Sequence, residues 1–303
     1  MFGLLKCKVL PPQDLFHPVL PYRTRQKLVF PLCRTCADEN HQGLCPHALP
    51  EDRALVGTWV REELDKAVHL GYVILEKYEA WHFPSSTQYD NQSKTGGIWA
   101  ECINLWLKHK QQASDWPDWC TTEEDKQRYV KEYLDHEGVQ LEPDDIERND
   151  GLRSLAKLLL NSMWGKMGQN PNKSKITYTA DCSEYINMMT DDGLEISDVL
   201  HVNDQHVALM WREKSEFVQS LPHTNVVFAA LTTAHARLKL YSLLEKLQDR
   251  VLYFDTDCVV YIHNEDLWNP PFGDYLGALK DETNGVPILT FVSGGAKNDA
   301  YNL

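Results

Sequence analysis

No stretch of these 303 residues approaches the run of about 20 apolar residues that a membrane-spanning helix needs. The opening Met1 to Leu10 interrupts its apolar stretch with Lys6 and Lys8, which makes it a poor secretion signal. Positive charge is scarce: 30 Lys and Arg stand against 44 Asp and Glu, a formal net charge of -14. That balance excludes a uniformly basic nucleic-acid binder, whose affinity comes from neutralised phosphates, and leaves the local distribution of charge to decide. Arg153, Lys157, Lys166, Lys173 and Lys175 cluster, whereas Glu123 to Asp150 is acidic. There is no internal repeat and no low-complexity tract. A hydrophobic content of 43% over this length allows a large core or two lobes. These features predict an intracellular protein of nucleus or cytoplasm, not a secreted one.

Two elements carry chemistry. Val251 to Phe254 and Cys258 to Ile262 are β-branched or aromatic enough to be strands, and Asp255-Thr256-Asp257 breaks them where a hairpin turns. Side chains two apart on a strand share a face, so both carboxylates are expected to point at one spot. Paired hard oxygens suit Mg²⁺, which completes its shell with waters and substrate phosphates. The plain alternative is a solvated turn.

The second element is Lys157-Leu-Leu-Leu-Asn161-Ser162-Met-Trp164-Gly165. Leu152, Leu155, Leu159 and Met163 fall at helical spacing on one side, and Arg153, Lys157, Asn161 and Gly165 on another. Lys157 suits a triphosphate as a point charge, Asn161 offers hydrogen bonds to a nucleotide, and Gly165 removes a side chain where a base pair needs close approach. An amphipathic helix with a solvated basic stripe is the ordinary reading of this helix by itself. The two elements together favour a nucleotide site.

At these residues the chain resembles a family B DNA polymerase of the protein-primed, viral or mobile-element branch. Lys157-x-x-x-Asn161-Ser162-x-Trp164-Gly165 resembles that family's fingers motif, with Trp164 where tyrosine is usual. Asp255-Thr256-Asp257 resembles its palm motif, with Cys258 where serine is usual. Gly97 to Lys110 resembles the first fingers helix and Phe228 to Arg237 the palm helix before the metal turn. Gly294-Gly-Ala-Lys297 resembles the start of a primer-contacting motif whose tyrosine is replaced by Asp299. The resemblance covers most of the chain from about Val56 onward.

It implies an α+β fold, a polymerase palm of antiparallel sheet and helices plus a helical fingers hairpin. Residues 1–95 would be a palm-proximal segment with a Cys/His loop, 96–170 the fingers, 171–225 an insertion-like β region and 226–303 the palm. It further implies DNA-directed DNA polymerisation, transferring nucleotides from dNTPs to a DNA or protein primer. Asp255 and Asp257 would be the catalytic ligands of Mg²⁺ or Mn²⁺. Lys157, Arg153, Asn161, Trp164 and Gly165 would bind the nucleotide, and Lys297 the primer. Partners would be primer-template DNA, dNTP and a terminal protein, with no membrane. The family also needs an upstream Asp-x-x-Ser-Leu-Tyr-Pro motif, which residues 1 to 56 do not contain, so the chain is expected to begin inside a polymerase and to be impaired as an enzyme. A non-catalytic nucleic-acid-binding remnant and a Mn-dependent glycosyltransferase are the competing readings.

A separate donor set is Cys33-x-x-Cys36 with Cys45-x-His47, which could close a tetrahedral zinc shell, with His41 a spare donor in the same loop. The remaining cysteines are scattered and read as reduced thiols. Elsewhere, Phe2 to Val9 reads as a strand, Trp59 to Leu70 as a helix ended by Gly71, and Tyr72 to Trp81 as a strand. Residues 98 to 112 and 150 to 168 read as two long helices separated by a polar stretch whose Trp116 and Trp119 serve packing. Residues 176 to 215 read as short strands.

Overall fold

The structure is a computed structural model. It describes every residue except Met1, Arg25, Gln26, Asn91, Ser220, Leu221, His223, Asp274 and Ala296. Ala296 of the Gly294 to Lys297 match therefore lies outside the described residues.

In chain order the elements are β1 (Gly3–Leu10), β2 (Tyr22–Arg23), β3 (Leu28–Val29), α1 (Arg34–Asp38), α2 (Pro50–Arg53), β4 (Leu55–Val60), α3 (Arg61–His69) and β5 (Val73–His82). Next come β6 (Tyr89–Asp90), β7 (Thr95–Gly96), α4 (Ala100–Gln112), α5 (Glu123–Glu137), α6 (Asp150–Met167), β8 (Lys175–Thr179) and α7 (Cys182–Thr190). The last are β9 (Leu194–Asn203), β10 (His206–Glu213), α8 (Val226–Leu247), β11 (Val251–Asp255), β12 (Cys258–Tyr261), β13 (Thr290–Ser293) and β14 (Asp299–Asn302). This is an α+β fold in which, among the described residues, the named strands pair antiparallel. Among the described residues no helix is long and apolar enough to cross a membrane.

The chain divides into two compact units, residues 1–161 with 230–303, and residues 162–229. In the first unit, β1 is the central strand of the order β4-β1-β5. Its alternation sets the core: Cys7 and Val9 are fully buried while Lys6 is exposed. Leu55 and Trp59 from β4, Leu64 and Ala67 from α3, Val19, Leu20 and Tyr72 complete this core, and α8 adds Tyr241. Each fully buried leucine contributes about 1.5–3 kcal/mol. The α3–α8 contact is also ionic. Glu63, with its side chain 3% exposed, meets Arg237 at 2.6 Å, and Lys66 meets Glu245 at 2.7 Å. Burial raises the Glu63 carboxyl above its ordinary range, and the Arg237 guanidinium opposes the rise.

The helix expected from Trp59 starts later, at Arg61. Trp59 and Val60 belong to β4, where Leu5 and Leu4 pair with them and the Trp59 indole donates to Pro21 O at 2.9 Å. The polar stretch between α4 and α6 holds a further helix, α5. It starts at a capping box of Thr122 and Asp125 and ends at Gly138, whose φ of 70° suits a residue without Cβ. Tyr129 and Tyr133, one turn apart, pack with Leu107, Val139, Leu141 and Ile146 into a second core. Trp116 packs against that core, in keeping with the packing role expected of it; Trp119 also lies edge-on to Tyr129 but remains 44% exposed.

The second unit carries a three-stranded sheet of order β8-β10-β9. The all-strand reading of 176 to 215 is corrected by α7, which Asp181 caps by accepting from Ser183 N. Ala208 and Leu209 of β10 are buried, and Lys175 lies over the Trp211 ring.

Candidate functional site

Strands β11 and β12 pair with Asp255 opposite Cys258, leaving Thr256 and Asp257 as a two-residue turn. Asp255 ends a strand and Asp257 lies beyond it, so turn geometry, not strand alternation, sets the two carboxylates. Thr256 has φ 50°, a conformation uncommon for a β-branched residue and a form of strain that clusters at functional sites. Its hydroxyl donates to Asp255 Oδ1 at 2.9 Å.

Lys297 bears on both carboxylates. Its ammonium lies 3.1 Å from Asp255 Oδ2, and its amide donates to the Tyr253 hydroxyl at 3.2 Å. The hydrogen bond to Asp255 raises the Lys297 ammonium above its usual range, with Asp255, Tyr253 and Asp257 acting on it through charge. Reciprocally, the bonds from Lys297 and then Thr256 hold the Asp255 carboxyl below the ordinary carboxylate range. Lys297 is thus ion-paired with Asp255, and the charge of Asp257 adds a weaker pull on the same ammonium.

On α6 the apolar stripe is only partly the one read from spacing. Leu155 is 49% exposed, while Ala156, the fully buried position, had not been singled out. Arg153, Lys157 and Asn161 are all exposed within the first unit. Trp164 and Gly165 belong to the same helix within the second, and among the described residues nothing lies within 4 Å of where a Gly165 Cβ would stand. Packing within this chain thus does not require glycine there.

The basic face is broader than the sequence indicated. Burial depresses the Lys110 ammonium, and Arg153, Lys157 and Lys280 depress it further, against the opposing charge of Glu137. Lys110 of α4 therefore feels the charge of Arg153 and Lys157 from α6 and of Lys280 from the segment before β13. Arg153 donates to Ser114 Oγ at 3.1 Å and lines a hollow with Asp115, Asp118, Arg148 and Asp150. Lys110 and Lys280 were missed because they are distant from the motif in sequence. Beside the turn, burial raises the Cys258 thiol above its ordinary range, and the charges of Asp255, Asp257 and Glu282 act in the same direction.

The Cys/His residues do come together. The ligand atoms of Cys33, Cys36, Cys45 and His47 all lie within 4.8 Å of one another. His47 Nδ1 is 3.6 Å from Cys33 Sγ, 3.4 Å from Cys36 Sγ and 3.8 Å from Cys45 Sγ. His41, the spare donor, instead places Nε2 3.0 Å from Leu44 O.

An α+β chain with an acidic hairpin and a clustered cationic helix face is suited to handling nucleotide phosphates. Residues 121–248 match the family described as DNA polymerase type B, organellar and viral. The DNA-directed DNA polymerase of Enterobacteria phage PRD1 is 32% identical over 133 residues, 44% of this chain and 22% of that protein. The chain thus matches about a fifth of the length of its curated relative. Among solved structures, Phi29 DNA polymerase complexed with primer-template DNA aligns over 87% of this chain and 31% of its own, at 14% identity and a TM-score of 0.39. Over residues 121–248, less than half of its length, the chain is thus similar to the type B DNA polymerases of organellar and viral type. The matched segment contains Lys157 to Gly165 and Phe228 to Arg237, while the Asp255 turn and the Cys/His loop lie outside it. That similarity goes against the glycosyltransferase reading.

Proposed function

We propose that this chain is the palm and fingers portion of a protein-primed DNA-directed DNA polymerase, transferring nucleotidyl groups from dNTPs onto a DNA or protein primer. The observation that carries the reading is the family match across Lys157 to Gly165, supported by the cationic cluster that Lys157 shares with Lys110, Arg153 and Lys280.

Asp255 and Asp257 are the residues that would hold Mg²⁺ or Mn²⁺; two carboxylates at one hairpin turn are a hard-oxygen donor set of the kind such an ion takes. When bound, the ion supplies positive charge to the phosphates of the substrate. Lys157 contacts the triphosphate, with Lys110 and Lys280 supplying further charge around it. Asn161 hydrogen-bonds the nucleotide, Trp164 bounds its pocket, and the open space at Gly165 admits the base pair. Lys297 serves the primer side, and its bond to Asp255 couples that contact to the carboxylates. Primer-template DNA, dNTPs and a terminal protein are the partners this reading requires, and it places the activity inside a cell.

The test is dNTP binding to the chain assembled on primer-template. Lys157→Ala is expected to weaken dNTP binding roughly tenfold or more, since a hydrogen bond to a charged group is worth about 1.5–3 kcal/mol, while affinity for DNA alone stays nearly unchanged. Equal loss of both would move Lys157 to the DNA track. No binding of either at low salt would sink the polymerase assignment.

A further inference from the structure

The segment between β3 and β4 contains chemistry that nucleotidyl transfer does not use. We propose that Cys33, Cys36, Cys45 and His47 form a structural zinc centre, closed by four protein ligands, that holds residues 34–52 folded against the β4-β1-β5 sheet. This inference does not depend on the polymerase reading.

Packing gives the first argument. From Arg34 to Asp52 no side chain is buried, and α1 contributes none to any core. Yet the segment keeps two short helices and a defined path. A stretch without a core of its own needs a cross-link, and in small modules a metal commonly supplies it.

Geometry gives the second. Tetrahedral zinc with bonds of about 2.3 Å to sulfur and 2.0–2.1 Å to nitrogen separates sulfur from nitrogen by about 3.6 Å and sulfur from sulfur by about 3.8 Å. The three sulfur–nitrogen separations here are 3.6, 3.4 and 3.8 Å, and Cys36 Sγ lies 3.5 Å from Cys45 Sγ. That last distance is far beyond the roughly 2.05 Å of a disulfide. Three thiolates and an imidazole select zinc over magnesium or calcium, and four protein ligands leave no position for substrate, which marks a structural site.

Connection to the sheet gives the third. Cys33 precedes α1, whose first turn brings Cys36 beside it. The Thr35 hydroxyl donates to Asp52 O at 2.8 Å, and Arg34 donates to Glu51 O at 3.1 Å. The next residue, buried Arg53, donates to Pro11 O, Pro12 O and Leu32 O at 2.9, 2.8 and 3.3 Å. The four ligands are thereby tied to the end of β1 and the start of β4.

Isolated without chelator, the chain is expected to carry about one zinc per molecule, and cobalt exchanged into it is expected to show thiolate charge transfer and the absorption of a tetrahedral site. Cys36→Ser should lose the metal, and Cys182→Ser, outside the cluster, should keep it. His47→Cys should retain metal with an altered cobalt spectrum, which separates ligation from misfolding. Chelation should open trypsin cleavage after Arg34. Zinc retained in full by Cys36→Ser overturns the proposal, as does a Cys36–Cys45 disulfide in freshly alkylated protein. Zinc-free protein that resists trypsin at Arg34 overturns it too.

Discussion

The β4-β1-β5 core and the 34–52 segment are neighbours in one unit and are held by different forces. In the core Cys7, Val9, Leu20 and Leu55 are fully removed from water, so burial is spread over many side chains. In the 34–52 segment nothing is buried, and order rests on a few directed bonds and the Cys/His cluster. Distributed burial degrades by increments when one residue is lost. A stretch held by a few directed links fails as a whole when the link goes.

Chelation of the Cys/His centre is the sharpest way to separate the two and has the largest expected effect. Hydrogen exchange at Ala37, Glu39 and His41, whose amides bond within the loop, should accelerate by orders of magnitude, while β1 amides keep their protection. Equal acceleration in both would show the two regions to be one cooperative unit.

The next effect lies where the core itself relies on a directed bond. Arg237→Met leaves the buried Glu63 carboxylate without its partner, which costs about 3–5 kcal/mol when a pair is fully buried; the one-third exposure of Arg237 sets the lower end as the expectation. Glu63 already has a raised pKa, so the neutral carboxyl favours the fold below its ordinary value near 4.5, and that contribution is lost as pH rises through the folded value. Without Arg237 the rise is larger, so urea stability of the variant should fall more steeply above that pH than in the parent. Parallel profiles would show that the pair is not coupled.

Leu55→Ala tests distributed burial, with an expected loss of about 2–5 kcal/mol in urea unfolding and no change in metal content. Loss of metal in this variant would tie the two regions together. The smallest effect on stability is expected at the exposed Lys297–Asp255 pair, where Lys297→Ala should leave the unfolding midpoint in place. It should nevertheless return the Asp255 carboxyl upward toward its ordinary range. Because that pKa is depressed, the pair's contribution is present above the ordinary aspartate value and disappears as pH falls through the lowered one. An NMR titration that finds Asp255 unmoved would dissociate Lys297 from the carboxylates.

Much of this was legible before any fold was known, because it depends on neighbours in sequence. β1 announces itself by alternation, α6 by its helical stripe, and the β11–β12 hairpin by a polar triplet between apolar runs. The donors Cys33, Cys36, Cys45 and His47 stand close together in the chain. α5 was obscured because only Tyr129 and Tyr133 mark its buried side amid charged residues, although Thr122 and Asp125 spelled its cap. The start of α3 was misplaced because Trp59 fits a helical stripe equally well, and strand pairing with β1 overrode that spacing.

By itself, then, the sequence determined the local elements, the donor types and the family motif at Lys157 to Gly165, since each arises from propensity or spacing along a few turns of chain. Tertiary structure alone decided that Lys110 comes within reach of the charges of Arg153, Lys157 and Lys280, and that Lys297 engages Asp255. It also paired Glu63 with Arg237 across 174 positions. The physical reason is common to these cases: Coulombic and ligand contacts depend on distance in space, and periodicity carries no information about which remote segments the core brings together.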